Sequence, residues 1–133
     1  MADQTVASLL RKIDCVMIRV PDLETGAHFY EQACGLRRLW SDASSVGLAM
    51  SDSDAEIVVH TMDLPPGCGV HFLVDDVPAA VAELLGSGSH VIEEPFEIPV
   101  GRCAVLADPF GNALCILDLS KGTRPDNGTP LKD

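Results

Sequence analysis

One run of local signals occurs twice in this chain. Val20-Pro21-Asp22-Leu23 and Val74-Asp75-Asp76-Val77 each join a β-branched run to an apolar helical pattern. Each reads as strand, aspartate cap, helix. In the first copy Cys15 to Val20 is the strand and Asp22 the cap. Leu23, Ala27, Tyr30 and Cys34 then fall on one helical face beside Phe29, and Gly35 takes the position that ends the helix. In the second copy Gly69 to Val74 is the strand, Asp75-Asp76 supplies the cap, and Val77 to Leu85 is the helix, with Pro78 suited to its first turn. Superposing the copies sets Cys15 over Gly69.

Three more strands follow each helix. After the first come Leu36 to Ser41, Ser45 to Met50 and Ala55 to Thr61. After the second comes a short strand from His90 to Glu93, stopped by Pro95. A hairpin then pairs Cys103 to Ala107 with Ala113 to Leu117 around Asp108-Pro109-Phe110-Gly111-Asn112, where Pro presets φ and Gly and Asn accept positive φ. The expected architecture is α+β: two βαβββ modules, an internal duplication, spanning about residues 13–62 and 68–119 of a single domain 13–119. Residues 120–133 are polar and rich in Pro and Gly, and are expected to form a flexible tail.

Charge and cysteine content narrow the function. Nine basic residues against twenty acidic ones give a net charge of −11, with the basic residues scattered, so a phosphate backbone is repelled and nucleic acid is not an expected partner. The five cysteines, at 15, 34, 68, 103 and 115, are odd in number and form no Cys-x-x-Cys pair. Neither a disulfide framework nor a zinc ribbon is indicated, and free thiols in a reducing compartment are expected. Residues Met1 to Asp14 hold no apolar signal region and no run reaches bilayer length, which points to a cytoplasmic protein without a membrane partner.

Taken together, the two modules, Val-Pro-Asp-Leu-Glu before a helix containing Phe29-Tyr30, Phe-Leu-Val-Asp-Asp-Val-Pro-Ala-Ala-Val before the second helix, and Gly101-Arg102 followed by Asp-Pro-Phe-Gly-Asn resemble the vicinal oxygen chelate superfamily. That superfamily includes glyoxalase I, bleomycin-resistance proteins and ring-cleaving extradiol dioxygenases. The resemblance implies curled sheets that form a cup-shaped mixed sheet with helices on the convex side, and often a homodimer. It also implies metal ligands from the first and last strand of each module, commonly His or Gln, Glu, His and Glu. Carried over position by position, these fall on Cys15, Glu56, Gly69 and Cys115, of which only Glu56 matches. No metal or other cofactor is therefore expected, although zinc held by the two cysteines, Glu56 and a displaced His71 is chemically conceivable.

On the implied cup, strand alternation sends Cys15, Met17 and Arg19 inward from the first strand and Glu56, Val58 and His60 from the fourth. His71 and Leu73 join them from the fifth, and Ala113, Cys115 and Leu117 from the last. Arg19 and Glu56 are candidates for ligand contact or for an internal ion pair. His71 is a candidate acid or base, and His60, at a strand end, is expected to be solvated. Trp40 is either a stacking wall or core, and Arg102 either binds an anion at the cup mouth or pairs with Glu97. The candidate ligand-binding set is thus Cys15, Met17, Arg19, Trp40, Glu56, His60, His71, Arg102 and Cys115. Three function classes fit it: a bleomycin-resistance-like binder of a small organic molecule without metal, a metal-dependent lyase, isomerase or dioxygenase with an altered ligand set, and a metal-free acid–base enzyme.

Overall fold

The computed structural model describes residues 7–122. The elements follow in the order β1 (Lys12–Arg19), α1 (Leu23–Gln32), β2 (Arg37–Ser41), β3 (Ser45–Met50), β4 (Ser53–His60), β5 (Val70–Leu73), α2 (Val77–Leu85), β6 (His90–Ile98), β7 (Gly101–Ala107) and β8 (Ala113–Leu117). This is βαβββ twice. Each helix starts as its sequence requires: the Asp22 carboxylate accepts from the Thr25 N–H and that of Asp76 from the Ala79 N–H, both at 2.9 Å. At the other end of α1, Gly35 has φ +73°. Cys34 lies beyond the helix and is exposed, and Phe29 is exposed against the edge of Tyr30, so neither belongs to the packed face.

All eight strands form one sheet, in the order β2-β3-β4-β1-β5-β8-β7-β6. Each module supplies four strands, and the modules meet where β1 runs antiparallel to β5. Within the modules β1 pairs with β4, and β5 with β8, in parallel. The convex face carries the core. Ala27 of α1 packs with Val46, Leu48 and Val59, while Val77, Ala80 and Val81 of α2 pack with Ala104, Leu106 and Ile116. Alternation leaves Cys15, Met17, Glu56 and Val58 for the opposite, concave face.

Three local features differ from the sequence reading. β6 passes through Pro95 to Ile98 because it is an edge strand whose register shifts between Glu93 and Phe96, where no ladder hydrogen bond is required of proline. Asp118, fully buried, ties three segments together: its carboxylate accepts from the N–H groups of Val77 (2.8 Å), Arg102 (2.9 Å) and Ser120 (3.2 Å) and from the Ser120 hydroxyl (2.8 Å). Gly101 makes room for it, since a Cβ there would collide with the Asp118 carboxylate and carbonyl. Finally, Cys68 and Cys115 form a disulfide, leaving Cys15, Cys34 and Cys103 as the free thiols. Spacing alone could not show that the loop before β5 folds back onto β8 and brings these two Cα atoms to 5.9 Å. Most of the expected tail, residues 123–133, lies outside the described residues, among which no helix is long and apolar enough to cross a membrane.

Candidate functional site

The concave face holds a cavity of about 450 Å³. β1 gives it Asp14, Cys15 and Met17, and β2 gives Leu39 and Trp40. Glu56 and Val58 come from β4, His71 from β5, and Leu117 from β8. Met62 and Leu64, from the segment joining the modules, close one side. Phe96 and Ile98 of β6, with Val100 and Cys103, close the other. The wall is mostly apolar, with few polar groups, as small-molecule sites commonly are.

The strand register sets the polar groups in a row. Cys15 stands opposite Glu56 on one side and His71 on the other, and His71 stands beside Cys115, so the row Glu56, Cys15, His71, Cys115 crosses β4, β1, β5 and β8. Glu56 is 9% exposed, and its Oε1 accepts from the Trp40 indole Nε1–H at 2.8 Å. That contact spans β3. It is possible because the intervening residue, paired with Trp40, is Gly47, which has no side chain to obstruct the indole. His71 is half-buried; burial pushes its pKa below the ordinary histidine range, although the nearby Asp14 carboxylate and a hydrogen bond with the Cys68 backbone act the other way. Burial also pushes the Cys103 thiol up to about 11, which keeps it protonated and unreactive at neutral pH.

Of the candidates named from sequence, Cys15, Met17, Trp40, Glu56 and His71 line this one cavity. Four do not. Arg19 is exposed and turned away: its guanidinium donates to the Met62 carbonyl at 3.0 Å and pairs with Asp63 at 3.1 Å, so it forms no ion pair with Glu56. His60 is 2% exposed rather than solvated, because the chain after β4 folds over it and the Met62 N–H donates to its Nδ1 at 3.1 Å. Burial and then Arg19 lower its pKa. Arg102 pairs with Glu97 at 3.3 Å, the second of the alternatives open for it. Cys115 is covered by Cys68 and Leu64. Sequence reasoning missed Phe96 and Ile98 by ending β6 at Pro95, and Met62 and Leu64 because loop residues carry no periodicity. The Pro65-Pro66-Gly67 run is a loop signal in the sequence but carries no information on the direction the loop takes.

The positions that carry metal in the resembling enzymes offer a poor donor set here. Gly69 has no side chain, its carbonyl accepts from the Met17 N–H at 2.6 Å, and the Cys115 sulfur is taken up by the disulfide. Among the described residues no three His, Cys, Asp or Glu side chains are gathered as a metal ion would require. These residues do not fit the family's metal site.

Comparison with known proteins matches the same span. A family model described as "Glyoxalase-like domain" matches residues 15–117. "Putative glyoxylase CFP32" of Mycobacterium bovis (strain ATCC BAA-935 / AF2122/97) is 39% identical over 110 residues, covering 73% of this chain and 39% of that protein, and the protein of that name from Mycobacterium tuberculosis (strain CDC 1551 / Oshkosh) matches equally. The chain thus spans well under half the length of these relatives. Among solved structures, methylmalonyl-CoA epimerase from Mycobacterium tuberculosis superposes with a TM-score of 0.71 at 19% identity, covering 86% of this chain and 92% of the other. A methylmalonyl-CoA epimerase in complex with methylmalonyl-CoA and ammonium gives 0.68 at 18%, covering 89% and 100%. At these identities the likeness is one of fold. With the family match covering most of the chain, the duplicated βαβββ sheet and its concave cavity belong to a member of the glyoxalase-like domain family, within the vicinal oxygen chelate superfamily.

Proposed function

We propose that this chain binds a small organic molecule in the concave cavity without using a metal, in the manner of a bleomycin-resistance-like protein. One observation carries the reading: both modules wall a single cavity of about 450 Å³ whose surface is mainly apolar and whose polar groups converge in the row containing Glu56 and His71. The poor donor set at the metal positions supports the metal-free form. A homodimer stays part of this reading; it follows from the resemblance and is checked by sedimentation at micromolar concentration. Screening a broad library of metabolites and antibiotics by thermal unfolding, with and without EDTA, tests the central point. Compounds that raise Tm equally in both conditions are expected. A library without a single stabilising compound, or stabilisation that depends on Mg, Mn or Zn, contradicts it.

A metal-free acid–base enzyme is a second reading, favoured by His71: a half-buried imidazole held neutral by burial and lining the cavity is poised to accept a proton. It requires turnover of a bound compound that is lost in His71→Gln. Binding without turnover leaves the first reading.

A further inference from the structure

Resting on the reading above, we propose that the Cys68–Cys115 disulfide is a redox latch on the cavity: it holds the segment joining the two modules, residues 61–69, in place as a wall, and a dithiol that reduces it releases that wall and weakens ligand binding. The segment reaches the cavity through Met62 and Leu64, and Leu64 packs directly on the two cysteines beside Val105. The disulfide therefore stands immediately behind a residue that lines the site.

The ends of the segment are held by hydrogen bonds and its middle is not. At the start, the Thr61 N–H donates to the Ser44 carbonyl (3.1 Å), the Met62 N–H donates to His60 Nδ1 (3.1 Å), and the Arg19 guanidinium donates to the Met62 carbonyl (3.0 Å). At the end, the Gly69 carbonyl accepts from the Met17 N–H at 2.6 Å. Between them Pro65 and Pro66 have no N–H to give, and the backbone hydrogen bond among the described residues of this stretch is internal, from the Cys68 N–H to the Pro65 carbonyl at 3.2 Å. Gly67, at φ +86°, lets the loop lie flat on β8, since a Cβ there would stand 3.0 Å from that of Ala113. The next residue is Cys68, bonded to Cys115 on the same face of β8 as Ala113. A stretch with so few hydrogen bonds opens readily unless it is tied, and here the tie is the disulfide.

The latch also bears on His71. Its imidazole has a hydrogen bond with the Cys68 backbone, and it stands beside Cys115 in the register of β5 and β8. Loss of the S–S bond frees Cys68 to move and with it the group that orients this ring.

Reduction is a thiol–disulfide exchange. Both sulfurs are buried, so it follows an opening of the loop. One thiolate of the dithiol attacks the Cys68 sulfur; the S–S bond breaks, and Cys115 leaves as a thiolate that takes up a proton. The second thiolate of the reductant then attacks its own sulfur in the mixed disulfide and releases Cys68, which is protonated in turn. Two electrons and two protons pass to the protein, and the dithiol ends as a cyclic disulfide.

The test compares the full chain before and after treatment with dithiothreitol, the redox state being fixed by counting alkylated thiols by mass. On reduction, amide hydrogen exchange over residues 61–69 should quicken about tenfold while β3 and β7 keep their protection. The neutral fluorescent probe N-phenyl-1-naphthylamine should bind the reduced chain about tenfold more weakly, because the wall is no longer pre-organised. A Cys68→Ser, Cys115→Ser variant should match the reduced chain in both measurements and ignore dithiothreitol; should it fail to fold, the reduced wild type carries the test. Unchanged exchange in the loop overturns the latch, and so does exchange that quickens throughout the sheet, which makes the disulfide a support of the whole fold. A loosened loop with unchanged probe affinity overturns its control of binding. A loosened loop in a chain that binds the probe in neither state counts instead against the reading of the cavity as a small-molecule site, and leaves the restraint on the loop standing.

Discussion

Gly47 lies directly beneath the indole of Trp40, so close that a Cβ built on the glycine would overlap the ring at Nε1 and Cε2. The two residues face each other across β2 and β3, and this bare position lets the indole reach over β3 to Glu56. Gly47→Ala should therefore expel the ring and cost about 2 kcal/mol through overpacking. Trp40 is the only tryptophan, so its emission should shift to the red as it moves toward water. Unchanged emission and an unchanged urea midpoint would show that the indole is not fixed by the glycine.

Asp118 should behave as a structural carboxylate. Burial alone would raise its pKa, but the N–H groups of Val77, Arg102 and Ser120 and the Ser120 hydroxyl outweigh that and hold it below the usual carboxylate range. Asp118→Ala removes the acceptor for four donors at once and should destabilise the fold by about 3 kcal/mol. The loss is read as a lower urea midpoint with an unchanged slope. Ser120→Ala, which removes the hydroxyl donor alone, should cost about 1 kcal/mol.

Thiol chemistry should divide the cysteines into three classes. Without reductant, native protein should alkylate at exposed Cys34 alone, because Cys15 and Cys103 are buried. Unfolding without reductant should release these two as well, giving three reactive thiols in total. Reduction should then expose Cys68 and Cys115. The sequence separation of 47 implies that replacing both with serine lowers stability by about 4 kcal/mol relative to the oxidised protein. Five thiols in the unreduced, unfolded chain would refute the pairing.

Stability should fall in two steps as the solution is acidified. His60 and His71 both have pKa values lowered by burial, so the unfolded chain takes up protons first and stability, complete above about pH 6.5, declines below it. Asp118 has the opposite arrangement of charge. Its depressed pKa contributes stability above the unfolded value of about 4, lost as pH falls through the folded value. Urea unfolding from pH 8 to pH 3 should resolve both steps. A His60→Gln, His71→Gln double variant should lack the first, and a wild-type chain equally stable at pH 7.5 and pH 5 would exclude it.

The repeated strand, aspartate cap and helix made the architecture legible from sequence. Asp22 and Asp76 cap their helices as expected, and the expected bounds of β3, α2 and β8 coincide with those observed. Alternation also assigned the concave face of β1 and β4 correctly for Cys15, Met17, Glu56 and Val58. What remained illegible depended on contacts between distant segments. The disulfide, the cover over His60 and the three-way junction at Asp118 all arise where a loop or strand end folds back onto a residue outside its own element. Arg19 shows the same limit: its backbone position follows the alternation, but its long side chain turns out to Asp63. Pro95 misled for a different reason, since only the edge position of β6 makes a proline admissible there.

The segment between β4 and β5 is the join of the two repeats, yet Met62 and Leu64 within it face the cavity and Cys68 anchors it to β8. The connector of the duplication has become part of the cavity wall. Such a stretch lies outside the helices and strands that hold the sheet together, so insertions or exchanges there reshape the cavity while both modules keep their own packing. In a chain built on this plan, the join is where a change in the shape of the cavity disturbs the fold least.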